Sequence, residues 1–309
     1  MSVTIEANGR SIKVSRPDKA LFPCGITKLD LARHYEAVGD TMVHHIADRP
    51  LTLERYPDGI EAQRIMQKRA GAYFPRWIAR VTVPKKGGSV EHVRAAEPAT
   101  LVYLADQACI TMHATLSRRD ALQRPDRLVL DLDPSVVAPA EVRRAARLIG
   151  DLLRELGLVP WAMTTGSRGY HVVVPLQRRL GFDDVRAFAR DLAAVAASRE
   201  PKLFTTEQRK ANRGDRLLID VMRNGYAQTS VAPYAVRPRP GAPVATPLHW
   251  DELSDRRTRA DRWTIKTIGE RLDREGDPWT DIAASPVTLT AARRRLDLMA
   301  ATLGSSGRS

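Results

Sequence analysis

The chain has 309 residues, with 49 lysines and arginines against 36 aspartates and glutamates, so its formal net charge is +13. This excess favours a polyanionic partner, nucleic acid before an anionic membrane surface, and the alternative is a merely solvated basic surface. The two cysteines, Cys24 and Cys109, exclude a disulfide framework and a cysteine-based zinc site. Because the few cysteines suit a reducing compartment and no apolar run reaches membrane-spanning length, we expect a cytoplasmic protein, which its basic charge would associate with the nucleoid.

The N-terminal part of the chain contains two patterns of regular structure. Residues 1–15 alternate apolar and polar side chains around an Asn-Gly pair, which predicts a β-hairpin. Residues 27–47 have the periodicity of a helix, and Thr27 followed by Asp30 is a helix start signal.

The central region predicts a β-α-β-β-α-β succession. Its elements are a strand at 127–134, a helix at 139–157, strands at 159–166 and 170–176, a helix at 182–198 and a strand at 216–223. This order is the split βαβ plan. We therefore expect an α/β (α+β) protein with an RRM-like catalytic core and an added N-terminal strand and helix region.

Three aspartates lie on the predicted strands of this core. Asp131 and Asp133 stand two residues apart, so their side chains point to the same face, and Asp220 lies on the last strand. A single aspartate in a strand is more often structural, but three converging carboxylates repel each other unless cations lie between them. Carboxylate oxygens select Mg²⁺ or Mn²⁺, so the pattern predicts a two-metal site for phosphoryl transfer.

A glycine-rich turn between the two middle strands predicts an anion site. Ser167 and the backbone N–H groups around Gly166 and Gly169 can form an anion-binding nest, to which Arg168 adds positive charge. His171 lies at the start of the next strand. A glycine-rich turn or a lone histidine is often only structural, so these residues gain weight from their place between the aspartate strands.

Two arginines flank the Asp220 strand. Arg213 precedes Asp220 by seven residues and Arg223 follows it by three. We interpret both as phosphate contacts, because polyphosphate bound beside carboxylates requires such clamps. Arg209 and Lys210 are interpreted as part of a solvated loop.

In three segments the chain resembles the polymerase domain of bacterial DNA ligase D, which belongs to the archaeo-eukaryotic primase superfamily. The segments are "DLDPS", "TTGSRGYHVVVPL" and "RKANRGDRLLIDVMRNGYAQTSVAPYAVRPRPGAPVATPLHWDEL". Because no ligase or nuclease segment accompanies them, the chain most resembles the stand-alone actinobacterial primase-polymerases. The resemblance implies template-directed addition of nucleotides, with ribonucleotides favoured and manganese often used, to a primer 3′-OH at short gaps or broken DNA ends.

The same resemblance implies roles for individual residues. The metal ligands would be Asp131, Asp133 and Asp220, and the nucleotide contacts would be Ser167, Arg168, His171, His113, Arg213 and Arg223. Lys19 and Lys28 would hold the 5′-phosphate across a gap. Replacing Asp131 or Asp133 with Asn is expected to abolish nucleotide addition, to spare DNA binding and even to stabilise the metal-free protein.

Two departures from the family pattern affect template and nucleotide handling. Ile65 and Met66 stand where template-stacking phenylalanines are usual, and aliphatic side chains stack less well on bases. The usual Gly-Lys-Gly of the nucleotide turn is Ser-Arg-Gly here, which keeps the charge and alters its geometry.

We expect one primase-polymerase domain over residues 1–303. Its predicted parts are an N-terminal part with the 5′-phosphate and template contacts (1–125), a catalytic core (126–233) and a helical C-terminal part (234–303), followed by a disordered tail at 304–309. A Pro/Gly-rich stretch at 234–247 marks the second boundary. The implied partners are DNA, nucleoside triphosphates, a separate ligase and an end-binding protein, in end joining or base excision repair, and no membrane.

Two other functions compete with the polymerase. A non-catalytic protein that binds DNA ends or gaps has no use for three converging carboxylates. A metal-dependent nuclease or phosphotransferase would leave Arg213 and the Ser167 turn without a triphosphate to hold.

Overall fold

The computed structural model describes residues 1–134 and 137–306, which form two compact units. The first unit contains Met1–Asp120, Thr229–Thr246 and Asp261–Asp277, and the second contains Ala121–Gln228, Pro247–Ala260 and the chain from Pro278 onward. In the described part of the chain, no helix is both long enough and apolar enough to cross a membrane.

Fourteen strands and seven α-helices are present in the described residues. The strands are β1 (Ser2–Ala7), β2 (Arg10–Ser15), β3 (Leu51–Arg55), β4 (Ile65–Gln67), β5 (Arg80–Lys85), β6 (Gly88–Val93), β7 (Cys109–Thr115), β8 (Arg127–Asp133), β9 (Trp161–Thr164), β10 (Tyr170–Pro175), β11 (Phe204–Thr205), β12 (Leu217–Asp220), β13 (Thr229–Val231) and β14 (Pro247–Leu248). The helices are α1 (Lys28–Ala37), α2 (Gly39–Ile46), α3 (Pro98–Asp106), α4 (Pro139–Glu155), α5 (Phe182–Arg199), α6 (Ile268–Glu275) and α7 (Thr290–Ser306).

The first unit contains the N-terminal hairpin and one larger sheet. β1 and β2 pair antiparallel as predicted, and Asn8 and Gly9 take the positive φ values (49° and 72°) that the tight turn requires. The larger sheet has the strand order β13-β7-β3-β6-β5, with β4 paired to β3.

The helix predicted over 27–47 is divided in two at Val38. Thr27 caps α1 by accepting from the backbone N–H of Asp30, whose side chain accepts in turn from the backbone of Thr27, so the predicted start signal is confirmed. After Val38 the chain begins α2 at Gly39, where an added Cβ would lie 2.7 Å from the Cβ of Pro98. Close packing against α3 therefore accompanies a break that periodicity does not reveal.

The Pro/Gly-rich stretch at 234–247 is largely buried and most of it is assigned to the first unit. Tyr234, Val236 and Val244 are fully buried, and the side-chain hydroxyl of Thr111 in β7 donates to the carbonyl of Val236 at 2.6 Å. A stretch that composition marks as a separator is thus part of a core.

The second unit is built on the split βαβ plan. Its sheet has the strand order β11-β12-β8-β10-β9-β14, in which the four predicted strands are the antiparallel neighbours β12, β8, β10 and β9. Helices α4 and α5 both pack against β8. The mixed α/β fold with an RRM-like core is therefore confirmed.

The C-terminal helices are divided between the units, because α6 belongs to the first and α7 to the second. Helix α7 runs through Ser306, so residues 304–306, predicted as disordered tail, are helical. Residues 307–309 of that tail, like Ser135 and Val136 of the "DLDPS" motif, lie outside the described residues.

Candidate active site

The three predicted aspartates converge on one sheet of the second unit. In the register of β12 and β8, Asp220 pairs directly with Asp131, and in that of β10 and β8, His171 also pairs with Asp131. Directly opposite residues of antiparallel strands share a face. Leu130 and Leu132 are fully buried while Asp131 and Asp133 remain partly exposed, as the predicted alternation requires.

Asp131 is compensated by neighbouring cations. Its Oδ2 accepts from the Arg223 guanidinium Nε at 3.2 Å, and its Oδ1 lies 3.5 Å from Nε2 of His171. Burial raises the pKa of the Asp131 carboxyl, but His171 and Arg223 lower it by more, so that the pKa is about 2. Asp131 is therefore ionised throughout the neutral range.

Asp220 is less well compensated. Its Oδ1 accepts from the backbone N–H of Met222 at 2.8 Å, and Arg223 lies 3.9 Å from its Oδ2. Burial raises the pKa of the Asp220 carboxyl, and the nearby Asp131 and Asp133 charges raise it further, so that the net shift is upward despite Arg223. Burial, more than the neighbouring charges, thus disfavours the ionised form of Asp220.

Asp133 is the most exposed of the three aspartates and pairs with Arg213. The Arg213 guanidinium donates to Asp133 Oδ2 at 3.3 Å and is held from behind by the carbonyls of Glu207 and Gln208, at 3.0 and 2.8 Å. These backbone contacts hold a buried guanidinium at the edge of the carboxylate cluster.

The glycine-rich turn begins and ends with bonds between Thr165 and Gly169. The backbone N–H of Thr165 donates to the carbonyl of Gly169 at 3.0 Å, and Gly166 has a positive φ of 63°. A Cβ on Gly169 would lie 2.1 Å from the carbonyl oxygen of Leu132. Only glycine therefore allows the turn to lie this close to β8.

Ser167 and Arg168 lie at the tip of this turn. Ser167 is half-buried and Arg168 is exposed. Neither side chain has a hydrogen-bond or ion-pair partner within residues 1–134 and 137–306, so both are available to a ligand. Whether they contact a nucleotide stays a prediction.

Sequence reasoning missed Asn224, whose side chain connects the segment that carries Arg223 to β8. Its buried side chain accepts from the backbone N–H of Val129 at 2.9 Å and donates to the carbonyl of Val129 at 2.7 Å. These bonds tie the short helical turn that carries Arg223 to β8, beyond the end of the β12 pairing. The Arg-Asn-Gly sequence suggests a turn, but does not indicate its partner.

His113 lies in the first unit, on β7. Its Nε2 lies 2.9 Å from Oε2 of Glu54, a buried carboxylate on β3 that also accepts from the Tyr56 hydroxyl at 2.9 Å. Burial raises the pKa of Glu54, and the contacts with His113 and Tyr56 lower it by more, so that the net shift is downward. Sequence reasoning did not identify Glu54 as a partner of His113.

Ile65 and Met66 form the exposed start of β4 in the first unit. They are 42% and 47% exposed, which is unusual for large apolar side chains. Tyr73, another residue that sequence reasoning missed, is 61% exposed and accepts from Arg55, the residue paired with Ile65. The surface therefore contains an aromatic ring close to the pair that replaces the expected phenylalanines.

The two predicted phosphate-binding lysines, also in the first unit, are both paired with aspartates. Lys19 Nζ lies 2.8 Å from the exposed Asp58, whereas Lys28 is buried and lies 3.2 Å from Asp106. Their backbones are adjacent, because the N–H of Lys28 donates to the carbonyl of Lys19 at 2.9 Å. A phosphate would have to compete with these carboxylates.

The carboxylates of Asp131, Asp133 and Asp220 are the type of ligand that a divalent cation binds. Oxygen ligands on neighbouring strands are what Mg²⁺ and Mn²⁺ prefer, and the raised pKa of Asp220 indicates a site that a cation would stabilise. In the described residues, however, no three histidine, cysteine, aspartate or glutamate side chains are already gathered as a metal-binding group. Arg213 and Arg223 lie on the carboxylates instead.

Comparison with known proteins identifies the family. The model of the LigD primase-polymerase domain matches residues 27–279. The chain belongs to this family. It is 33% identical over 288 residues to the multifunctional non-homologous end joining protein LigD of Pseudomonas aeruginosa, covering 92% of this chain and 34% of that protein. It is 32% identical over 270 residues to the LigD of Mycolicibacterium smegmatis, covering 86% of this chain and 35% of that protein.

A solved structure has the same fold. The polymerase domain from Mycobacterium tuberculosis ligase D in complex with DNA superposes with a TM-score of 0.83 and 29% identity, covering 89% of this chain and 99% of that one. The chain spans about a third of the length of the curated LigD proteins named above. The LigD family membership predicted from the sequence is therefore confirmed.

Proposed function

We propose that the protein is a template-directed nucleotidyl transferase that extends a primer 3′-OH at short gaps or broken DNA ends. The observation that carries this proposal is the row of Asp220, Asp131 and His171 across three neighbouring strands, with Arg213 and Arg223 beside it. Membership of the LigD primase-polymerase family supports it.

Asp131, Asp133 and Asp220 would hold the divalent cations of such an enzyme. Two bound cations would supply a lowered pKa at the primer 3′-OH and stabilisation of the leaving pyrophosphate. Metal binding would release Arg213 and Arg223 from the carboxylates that they now contact. Both guanidinium groups could then bind triphosphate oxygens, and Arg213 is already oriented by two carbonyls.

The turn at Ser167 would bind the triphosphate together with these arginines. Ser167 and Arg168 are available, and the close approach of Gly169 to β8 places the turn beside the aspartate strand. His171, on the strand that follows, would donate to a phosphate oxygen or keep Asp131 ionised. Removing Arg168 should therefore raise the KM for the nucleotide more than it lowers kcat.

His113 would contact the sugar of the incoming nucleotide and favour ribonucleotides. Glu54 would fix its orientation through the 2.9 Å contact with Nε2. Loss of one hydrogen bond to a 2′-OH costs about 1–3 kcal/mol. Competition between ATP and dATP opposite a template T should show a ribonucleotide preference that Glu54→Gln reduces, and a strong deoxyribonucleotide preference in the intact protein would contradict this role.

Lys19 and Lys28 would hold the 5′-phosphate on the far side of a gap, and the exposed Ile65 and Met66 would contact the template. Asp58 is exposed, so a phosphate could displace it from Lys19, whereas Lys28 would contribute from a buried position. Affinity for gapped DNA with and without the 5′-phosphate should differ, and Lys19→Ala/Lys28→Ala should remove the difference. A matched Lys13→Ala variant, which changes an exposed lysine of β2, should keep it.

The repair context is also part of this proposal. The LigD relatives are named for non-homologous end joining, and a polymerase of this kind at a gap or break would act on chromosomal DNA before a ligase seals the ends. We propose a separate ligase and an end-binding protein as its partners.

A gap-filling assay tests the proposal against its alternatives. A polymerase will incorporate labelled nucleotide into gapped DNA in the presence of Mn²⁺ or Mg²⁺. A non-catalytic gap-binding protein will shift the DNA without incorporation, and a nuclease will shorten the primer without requiring nucleotide. Either of the last two results would overturn the proposed function.

A further inference from the structure

The first unit contains a cavity of about 410 Å³ between α1 and the segment that leads into α6. None of the residues proposed for nucleotide transfer borders it. Its lining includes Asp30, Arg33, His34, Lys266, Ile268 and Gly269. We refer to it as the α1–α6 cavity. Its volume is within the range of small-molecule sites.

Two uncompensated cations border the α1–α6 cavity. Arg33 and Lys266 are exposed, and neither side chain has an ion-pair or hydrogen-bond partner in the described part of the chain. The carboxylate that also borders the cavity, Asp30, already accepts from the backbone and hydroxyl of Thr27 at 2.8 Å each. These neutral donors satisfy the hydrogen bonding of Asp30 but do not cancel its charge, and the two cations outnumber this one carboxylate, so the net charge of the three groups is positive.

His34, a mostly buried residue, supplies a hydrogen-bond acceptor at the same cavity. Its Nε2 lies 3.0 Å from the carbonyl oxygen of Tyr234, which can only accept, so Nε2 carries the proton. Burial lowers the pKa of the ring to about 4, so that the ring is neutral at pH 7 and Nδ1 carries a lone pair. The side chain is only 5% exposed, and within residues 1–134 and 137–306 Nδ1 has no donor. Among the described residues, Nδ1 is not one of the fully enclosed side-chain atoms that lack a partner, so it is accessible, and a ligand or water in the cavity can donate to it.

The first turn of α6 supplies a backbone donor. Gly269 borders the cavity in the first turn of this eight-residue helix, and its N–H has no backbone acceptor among the described residues. A Cβ placed on Gly269 would meet nothing within 4 Å, so there is open space beside it. Free N–H groups at a helix start favour anions.

We propose that the α1–α6 cavity binds a phosphate monoester whose organic part carries a hydroxyl group, as a nucleoside monophosphate does. The phosphate would contact Arg33, Lys266 and the N–H of Gly269, and a hydroxyl would donate to Nδ1 of His34. The side chains of Ile265 and Ile268 offer an apolar surface to the rest of the ligand. The phosphate can belong to a free nucleotide or to the 5′-terminal nucleotide of a nucleic acid strand, which present the same chemistry.

Binding to the full-length protein tests the proposal without any nucleotide transfer, so its failure and that of the proposed function are distinguishable. The probes are AMP, inorganic phosphate, and one oligonucleotide with and without a 5′-phosphate. Arg33→Gln/Lys266→Gln should weaken AMP binding by about a hundredfold, on the order of tenfold for each charge-assisted contact. The control Lys13→Gln/Arg76→Gln, which removes the same charge from two exposed cations elsewhere in the unit, should leave it within about twofold.

Two further measurements keep the result specific. AMP should shift the Nδ1 resonance of His34 in protein with ¹⁵N-labelled histidine, and Ala37→Met, which narrows the cavity without changing charge, should weaken AMP binding. Tighter binding of AMP than of the 5′-phosphorylated strand assigns the site to free nucleotides, and the reverse assigns it to strand ends. The proposal is overturned if no probe binds, if the double variant retains AMP binding, if the control loses as much, or if the His34 resonance does not move.

Discussion

Asp131 and Asp220 are directly opposite each other on the neighbouring strands β8 and β12, but their negative charges are compensated to different extents. The pKa of Asp131 is lowered to about 2 by His171 and Arg223 despite its burial, whereas burial and the other aspartates raise the pKa of Asp220. A carboxyl whose pKa is lowered on folding stabilises the fold at pH values above its unfolded pKa of about 4. This contribution is lost as the pH falls toward the folded pKa.

This difference predicts opposite effects of the two Asp→Asn replacements on stability. In metal-free buffer at pH 7, Asp131→Asn should reduce the free energy of unfolding by about 2 kcal/mol, because it removes the charged carboxylate that Arg223 and His171 both contact. Asp220→Asn should be neutral or stabilising, because it removes a repelled charge. Urea unfolding measures both, and equal losses in the two variants would contradict this account. The sequence-based expectation that Asp131→Asn stabilises the protein is thereby revised.

His34 makes the stability of the first unit depend on pH. Its folded pKa of about 4 lies below the ordinary histidine value of 6.5, so between these values the unfolded chain binds more protons and stability is lost as the pH falls. The loss should approach about 3 kcal/mol at pH 4. Unfolding of the intact protein and of His34→Gln should be compared from pH 7.5 to 4, where the variant should lack this part of the slope. Parallel curves would show that His34 does not titrate in this range.

At the residue level, the sequence was sufficient to predict the shared face of the aspartates, but it was insufficient to predict the partners of several other site residues. Alternation in β8 predicted that Asp131 and Asp133 share a face, because strand geometry is local. The partners Glu54, Asp106 and Asn224 were not predictable, because each contact joins residues more than fifty positions apart in the sequence. Such contacts depend on the register of distant strands and loops.

At the scale of the secondary-structure elements, the glycine-rich turn lies so close to β8 that it leaves no room for a side chain at position 169. Gly169→Ala would place a Cβ 2.1 Å from the carbonyl oxygen of Leu132, so that β10 or β8 has to move. We expect a loss of stability above about 2 kcal/mol and of nucleotide addition, since the turn and the aspartate strand would separate. Gly181→Ala is the matched control, because its Cβ would meet nothing nearer than 3.8 Å. Similar unfolding midpoints for the two variants would contradict the claim that the close approach to Leu132 requires glycine at position 169.

The helices and strands of the second unit could be predicted from local sequence patterns, whereas those of the first unit could be predicted only in part. The β-α-β-β-α-β succession is visible because hydrophobic periodicity changes between strand and helix. The break at Val38 and the burial of residues 234–246 are set by what packs against them, such as Pro98 against Gly39. Composition alone marked that buried segment as a separator.

For the whole molecule, the net charge of +13 predicts salt-dependent DNA binding. The logarithm of the binding constant should fall linearly with the logarithm of the salt concentration, and removing one phosphate-contacting cation should reduce the slope by about one. Lys19→Ala should do so on 5′-phosphorylated gaps, and Asp131→Asn should not. Anisotropy titrations at several salt concentrations measure these slopes, and an unchanged slope in Lys19→Ala would remove Lys19 from the phosphate contacts.

Nucleotide addition at a single-nucleotide gap tests the central claim, that three aspartates on one sheet carry the transfer. Asp131→Asn, Asp133→Asn and Asp220→Asn should each reduce incorporation with Mn²⁺ by about a thousandfold or more while DNA affinity stays within a few fold. The control is Asp151→Asn, which changes an exposed aspartate of α4 that pairs with Arg154 at 3.0 Å, and it should retain full activity. Incorporation near the wild-type rate in any of the three variants, in protein that is folded and binds the gap, would contradict the account.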